Sequence, residues 1–292
     1  MLAWARTNLH RLNHPFPISM LTNISCRLLA IDEGRQLLSL IDTATSTFHW
    51  MLDLADYPLA RDLQRLDRER VLVGFDRGYF ELEIETGKVL AVCDRWTDVT
   101  AVHRRADGST LVTGWDLDES EGVNVLTLDR DQRVADIARR DGDYVRLMRV
   151  TPAGTYLLCT NDHILETTPD LATVRRFAAP GFEHAWMAER LPDGTTLVSA
   201  GYGAFMAVFD TDGNLMKRFG RAGQVPAEVA PFFYATFQRL ANGHLLVANW
   251  QGHGPDNGAK GRQLLEFDRN HDLVGAWSAL ERISSLQGIL PV

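Results

Sequence analysis

The sequence predicts an all-β chain folded as a six-bladed β-propeller, with four antiparallel strands to a blade. Two observations carry this. An apolar pair recurs as Leu28-Leu29, Leu72-Val73, Leu111-Val112, Leu157-Leu158, Leu197-Val198 and Leu246-Val247, at intervals of 39 to 49 residues. Downstream of each pair comes the same succession of short runs that alternate apolar and polar residues and are bounded by Gly, Asp and Asn. Such runs are hairpin strands. Strands arriving in fours with a period in the forties build propeller blades.

The clearest unit is Leu191 to Gly220, LPDGTTLVSAGYGAFMAVFDTDGNLMKRFG. It reads as strand, Asp-Gly turn, strand, Gly-bearing loop, strand, Asp-Gly turn, strand. The second unit follows it with VLVGFD, YFELEI and KVLAV, and the third with LVTGW, VNVLTLD and RVADI around a longer insert, Asp116 to Gly122. The fourth has YLLCTND, ILETT and TVRRF, and the sixth has LLVANW, QLLEFD and LVGAW. Only the first unit is short of a strand. Arg27-Leu-Leu-Ala-Ile, Gln36 to Ile41 and Phe48 to Leu52 match the second, third and fourth strands, while Ser285 to Leu290 stands alone at the other end. The carboxy-terminal strand is therefore expected to complete the amino-terminal blade, which leaves no seam of unpaired edges in the ring. This gives one domain, residues 24–292, and an amino-terminal extension, residues 1–23. The best helix candidate is short, Pro226 to Phe233.

Composition narrows the functional classes. A net charge of -8 argues against a nucleic-acid partner, since phosphate binders carry a basic face. No apolar run is long enough to span a membrane, and the amino terminus has charges, His and Pro where a signal peptide needs an apolar core. Cys26, Cys93 and Cys159 are odd in number and embedded in strand-like runs, which fits reduced thiols in a cytoplasmic protein. Metal-ligand spacing is weak throughout. His10 and His14 are four apart, but Pro15 and Pro17 oppose a helix there, and the acidic insert Asp116 to Gly122 lacks the glycine and glutamate of a calcium loop.

LPDGTTLV…VFDTDGNLMKRF, with Glu85-Thr-Gly-Lys-Val-Leu and Ile41-Asp-Thr…His-Trp, resembles quinoprotein-like and NHL-type propeller repeats over roughly residues 24 to 290. The resemblance implies blade architecture and no particular chemistry, because such folds host many functions. Quinone-dependent members have more blades and a tryptophan closing most repeats. Only Trp50 and Trp277 fall there, which argues against pyrroloquinoline quinone (PQQ) and leaves any cofactor open. His184 ahead of ERLPDG also resembles arylsulfotransferase-like propellers, without the matching histidines in other blades.

Aligning the units places the loops leading into the innermost strands, and those joining second to third strands, on one face of the ring. The first set carries Arg61, Trp96, Asp98, Tyr144, Arg146, His184, Trp186, Phe232, Phe233 and Tyr234; the second carries Tyr202, Trp250 and His253. An aromatic-walled mouth with converging polar groups is the usual form of a small-ligand pocket. The same aromatics equally serve as a plug. Within the first reading His184 is the candidate acid or base. Arg61 and Arg146 are the candidate anchors for a carboxylate, sulfate or phosphate, with interblade ion pairs as their alternative. Trp96, Asp98, Tyr144, Trp186, Tyr202, Tyr234, Trp250 and His253 are the candidate ligand contacts. The Gly-rich insert Gln251 to Arg262 reads either as a lid over that mouth or as a loop tip. The competing function is a non-enzymatic platform that binds a protein or peptide through the same face.

Overall fold

The computed structural model describes residues 21–142 and 144–292. His10, His14 and most of the amino-terminal extension lie outside the described residues. Six four-stranded antiparallel sheets are arranged as blades. Blades 2 to 6 begin with innermost strands Asp62–Arg65, Val99–Arg104, Met148–Val150, Met187–Arg190 and Phe233–Arg239, and each runs outward in chain order. Blade 1 takes its innermost strand, Leu286–Pro291, from the carboxy-terminal end of the sequence and then continues through Arg27–Asp32, Leu37–Asp42 and Thr47–Asp53.

That closure is held by strand register and by a clasp. Leu29 faces Leu290 and Ala30 faces Ile289. Beyond the ladder, the buried Asp32 carboxylate accepts the backbone N–H groups of Ser284 and Ser285, each at 2.8 Å. Burial pushes the Asp32 carboxyl up, and these two backbone donors pull against it.

The burial pattern explains why the sequence looks as it does. Middle strands such as Arg27–Asp32, of pattern RLLAID, are buried on both faces because blades stack face to face. Outermost strands meet solvent on one side, so Thr47–Asp53 alternates exposed and half-buried residues along its length. In every blade the pairing of third and fourth strands carries a register shift at the same place, between Leu40 and Ile41 in blade 1 and between Glu81 and Leu82 in blade 2. A bulge there adds right-handed twist to each outer edge.

Repeated polar contacts tie blade to blade. Arg104 of blade 3 bridges back to Glu81 of blade 2 and to Thr110, and Arg190 of blade 5 makes the same pair with Glu166 of blade 4 and Thr196. The two repeat-closing tryptophans act likewise: Trp50 donates to the Ile84 carbonyl and Trp277 to Ser46, each in the following blade. The stretch expected to contain a helix holds only a 3-10 turn, Ala227–Val229. No helix among the described residues is long and apolar enough to cross a membrane, and all three cysteines are free thiols.

Candidate functional site

The innermost strands enclose a central channel with two mouths. At the upper mouth, where these strands begin, lies a cavity of about 200 Å³. Its wall contains Arg61, Tyr144, Arg146, His184, Trp186, Tyr202, Trp250 and His253, together with Glu33, Leu59, Phe233 and Gln287. Sequence reasoning placed the first eight of these, and Phe233, on this face. It passed over Glu33 and Gln287, although both had a signal. Glu33 lies in the turn between the second and third strands of blade 1, the same loop class flagged elsewhere, and Gln287 is on the carboxy-terminal strand that completes blade 1.

Three candidates lie away from the cavity. Tyr234 is completely buried and its hydroxyl donates to the Gly220 carbonyl, so it locks the linker between blades 5 and 6 and has no free group. Trp96 packs with Tyr79, Val99 and Leu117 between blades 2 and 3, under the Arg95 guanidinium at 4.7 Å. Asp98 takes a left-handed conformation, φ 59°, and its carbonyl accepts the Trp115 N–H at 3.1 Å; it shapes the turn into blade 3. Alignment assigns a residue to a loop, but the side-chain direction depends on the local turn.

The cavity wall is aromatic on one side. Tyr202 meets Phe233 edge-on at 4.8 Å, Trp250 meets Phe233 at 5.3 Å, and Trp186 meets Phe233 at 5.4 Å. His184 packs edge-on against Tyr202 at 5.4 Å. Backbone geometry sets the last pair. His184 is left-handed, φ 55°, and its carbonyl comes so near Gly201 that a Cβ there would lie 2.1 Å from the oxygen. Only glycine fits Gly201, itself at φ 61°, and this close approach places Tyr202 beside the histidine. A strained non-glycine residue of this kind persists because its surroundings hold it.

The opposite side of the cavity is cationic. Among the described residues no carboxylate comes within 4.0 Å of Arg61 or Arg146, so neither makes an ion pair (contrast Arg149–Asp62 at 2.7 Å). Among the described residues the Arg61 side chain makes two long hydrogen bonds, to the Leu59 carbonyl, 3.3 Å, and the Tyr144 hydroxyl, 3.4 Å. Arg146 donates one bond to Asn161, 2.9 Å, and its Nε is buried with no partner. Trp186 Nε1 is likewise buried and unpartnered. Burial, and then the neighbouring Arg61 charge, push the Arg146 pKa down, with Tyr144 opposing. Burial first and the Arg146 charge second push the His184 pKa down, which favours the neutral imidazole. The one carboxylate in the wall, Glu33, is already engaged: it accepts Trp250 Nε1–H at 3.0 Å and lies 2.8 Å from His253 Nδ1.

The Gly-rich insert is tied down rather than hinged. Asn257 donates to the carbonyls of Gly252, His253 and Gly254, while Ser284 and Ser285 donate to those of Gly254 and Gly252. From that fixed loop His253 reaches over Trp250 at 4.7 Å. The acidic insert in blade 3 is not wholly solvated, because Leu117 at its centre is buried and packs on Gly114. No group of three or more His, Cys, Asp or Glu side chains that would hold a metal occurs among the described residues.

No protein-family model matches the chain, and no curated protein does. Solved structures do. A protein of unknown function from Bacteroides caccae superposes with a TM-score of 0.72 at 19% identity, over 92% of this chain and 99% of that one. A functionally unknown protein from Desulfotomaculum acetoxidans gives 0.55 at 16% identity, over 91% and 99%. A streptogramin B lyase gives 0.55 at 11% identity, over 92% and 86%. The chain is thus a six-bladed β-propeller by its own strand order and by these likenesses. At such identities the likeness is one of fold.

Proposed function

We propose that the upper mouth binds a small molecule bearing a carboxylate, sulfate or phosphate next to a ring, and that His184 acts on it as a general base. The observation that carries this is the pair of guanidiniums facing a cavity without an ion-pair partner among the described residues, with Arg146 Nε and Trp186 Nε1 buried and unbonded there. Leaving buried polar groups unsatisfied costs about 1–3 kcal/mol each, and an anion supplies an acceptor near Arg146 and a counter-charge to both arginines. Size points the same way. A cavity of about 150 Å³ holds benzene, so about 200 Å³ admits one ring with its acidic group. A concave, part-polar mouth favours this over a flat platform for a protein partner. The buried free thiols Cys93 and Cys159 support a reducing, cytoplasmic setting.

The test uses the tryptophans in the wall as reporters. Titration with benzoate, phenyl phosphate and phenyl sulfate is expected to quench their emission saturably for at least one of the three. Replacing Arg61 and Arg146 together by Ala should weaken that binding on the order of a hundredfold. Equal quenching of the double variant would sink the reading. For a turned-over substrate, His184→Ala should slow the reaction about a hundredfold.

A further inference from the structure

The lower mouth, where the innermost strands end, holds a second and larger cavity of about 610 Å³ to which all six blades contribute. Its turns look plain in the sequence, yet the strand ends do not. Four arginines line it: Arg65, Arg149, Arg190 and Arg239, from blades 2, 4, 5 and 6. Against them the lining sets one carboxylate, Glu189.

Following each guanidinium to its partners separates the four. Arg149 is neutralised by buried Asp62 across the channel, with contacts of 2.7 and 3.3 Å. Arg190 is neutralised by Glu166 at 2.7 Å. Arg239 touches Glu189 only through Nε, at 3.3 Å, and its terminal nitrogens make no bond among the described residues. Among the described residues Arg65 has no carboxylate within 4.0 Å; one terminal nitrogen donates to the Pro291 carbonyl at 2.7 Å, and its other nitrogens make no bond there. Arg65 and Arg239 belong to blades 2 and 6, the two that flank the closing strand Leu286–Pro291, whose own end contributes the uncharged Leu290. Gln238 beside Arg239 is bonded to that strand through the Ile289 carbonyl. Two guanidiniums, each with a nitrogen or more left unbonded among the described residues, thus stand on either side of the uncharged Leu290, in a protein whose overall charge is -8.

The geometry points to a second anion site at the lower mouth, in which Arg65 and Arg239 together take a small polyanion with two or more carboxylate or phosphate groups. Arginine suits this task because its planar fork meets such oxygens two at a time. The site is separate from the upper mouth and does not depend on how that mouth is used.

Citrate and pyrophosphate are the probes, titrated calorimetrically into the full chain at constant ionic strength, with sodium chloride as control. One of them is expected to bind with a stoichiometry of one. Arg65→Gln with Arg239→Gln should weaken it roughly tenfold or more, while the unliganded melting temperature holds, since both side chains are substantially exposed. Arg61→Gln with Arg146→Gln should leave it unchanged. Retention of full affinity by the first double variant would overturn the inference. So would loss in the second alone, which would place the anion at the upper mouth and leave the proposed function standing. No heat with either probe also overturns it.

Discussion

At the lower mouth of the channel, Arg149 and Arg190 are each matched to a buried carboxylate. At the upper mouth Arg61 and Arg146 have none within ion-pair reach among the described residues, and the one carboxylate in the cavity lining is engaged by a tryptophan and a histidine. Arginine therefore plays opposite parts in the two pairs, Arg149 and Arg190 below and Arg61 and Arg146 above. A matched arginine is part of the frame, and removing its partner strands a charge. An unmatched, part-buried arginine is a standing cost, retained where something else supplies the counter-charge.

The strongest way to break this comparison is at the matched pair. Asp62 is buried and accepts both Arg149 and the Val102 backbone N–H. Asp62→Ala is expected to destabilise the fold by about 3–5 kcal/mol, read from urea melts. A loss below about 1 kcal/mol would place Arg149 among the unmatched arginines.

The opposite sign is expected at the upper mouth. Arg146→Met removes a desolvated charge and keeps the apolar stem, so stability should rise by about 1 kcal/mol while anion binding is lost. A marked fall in stability instead would mean that Arg146 belongs to the frame, and would remove the chief support for a ligand there.

The smallest effect concerns pH. The His184 pKa is depressed in the fold, so the unfolded chain binds more protons once pH falls below about 6.5. Its contribution to stability is then present above that value and fades as pH falls towards the lowered folded pKa. A bound anion beside His184 favours the imidazolium, so affinity for benzoate should increase from about pH 7.5 to 5.5. His184→Asn should flatten both trends. An unchanged slope in the variant would show that the histidine does not face the anion.

Much of this was legible in the residues. The period, the hairpin turns and the lone strand Ser285 to Leu290 determined six blades and their closure, because each rests on local alternation and on turns a few residues long. Alignment of the repeats also determined which loops share the upper face, and nine residues placed there on that basis line one cavity. Direction was not legible: Tyr234, Trp96 and Asp98 occupy the right loops and turn elsewhere. Nor was charge matching, since any of the many acids was an available partner for Arg61 or Arg146. Only the tertiary structure decided that Arg149 meets Asp62 from 87 residues away, that Glu33 is engaged by Trp250 and His253 from 217 and 220 away, and that a larger cavity opens among plain-looking turns. The physical reason is range. Strand pattern and turn chemistry act between neighbours in the chain, whereas the balance of charge in a channel depends on which blades the closed ring brings face to face.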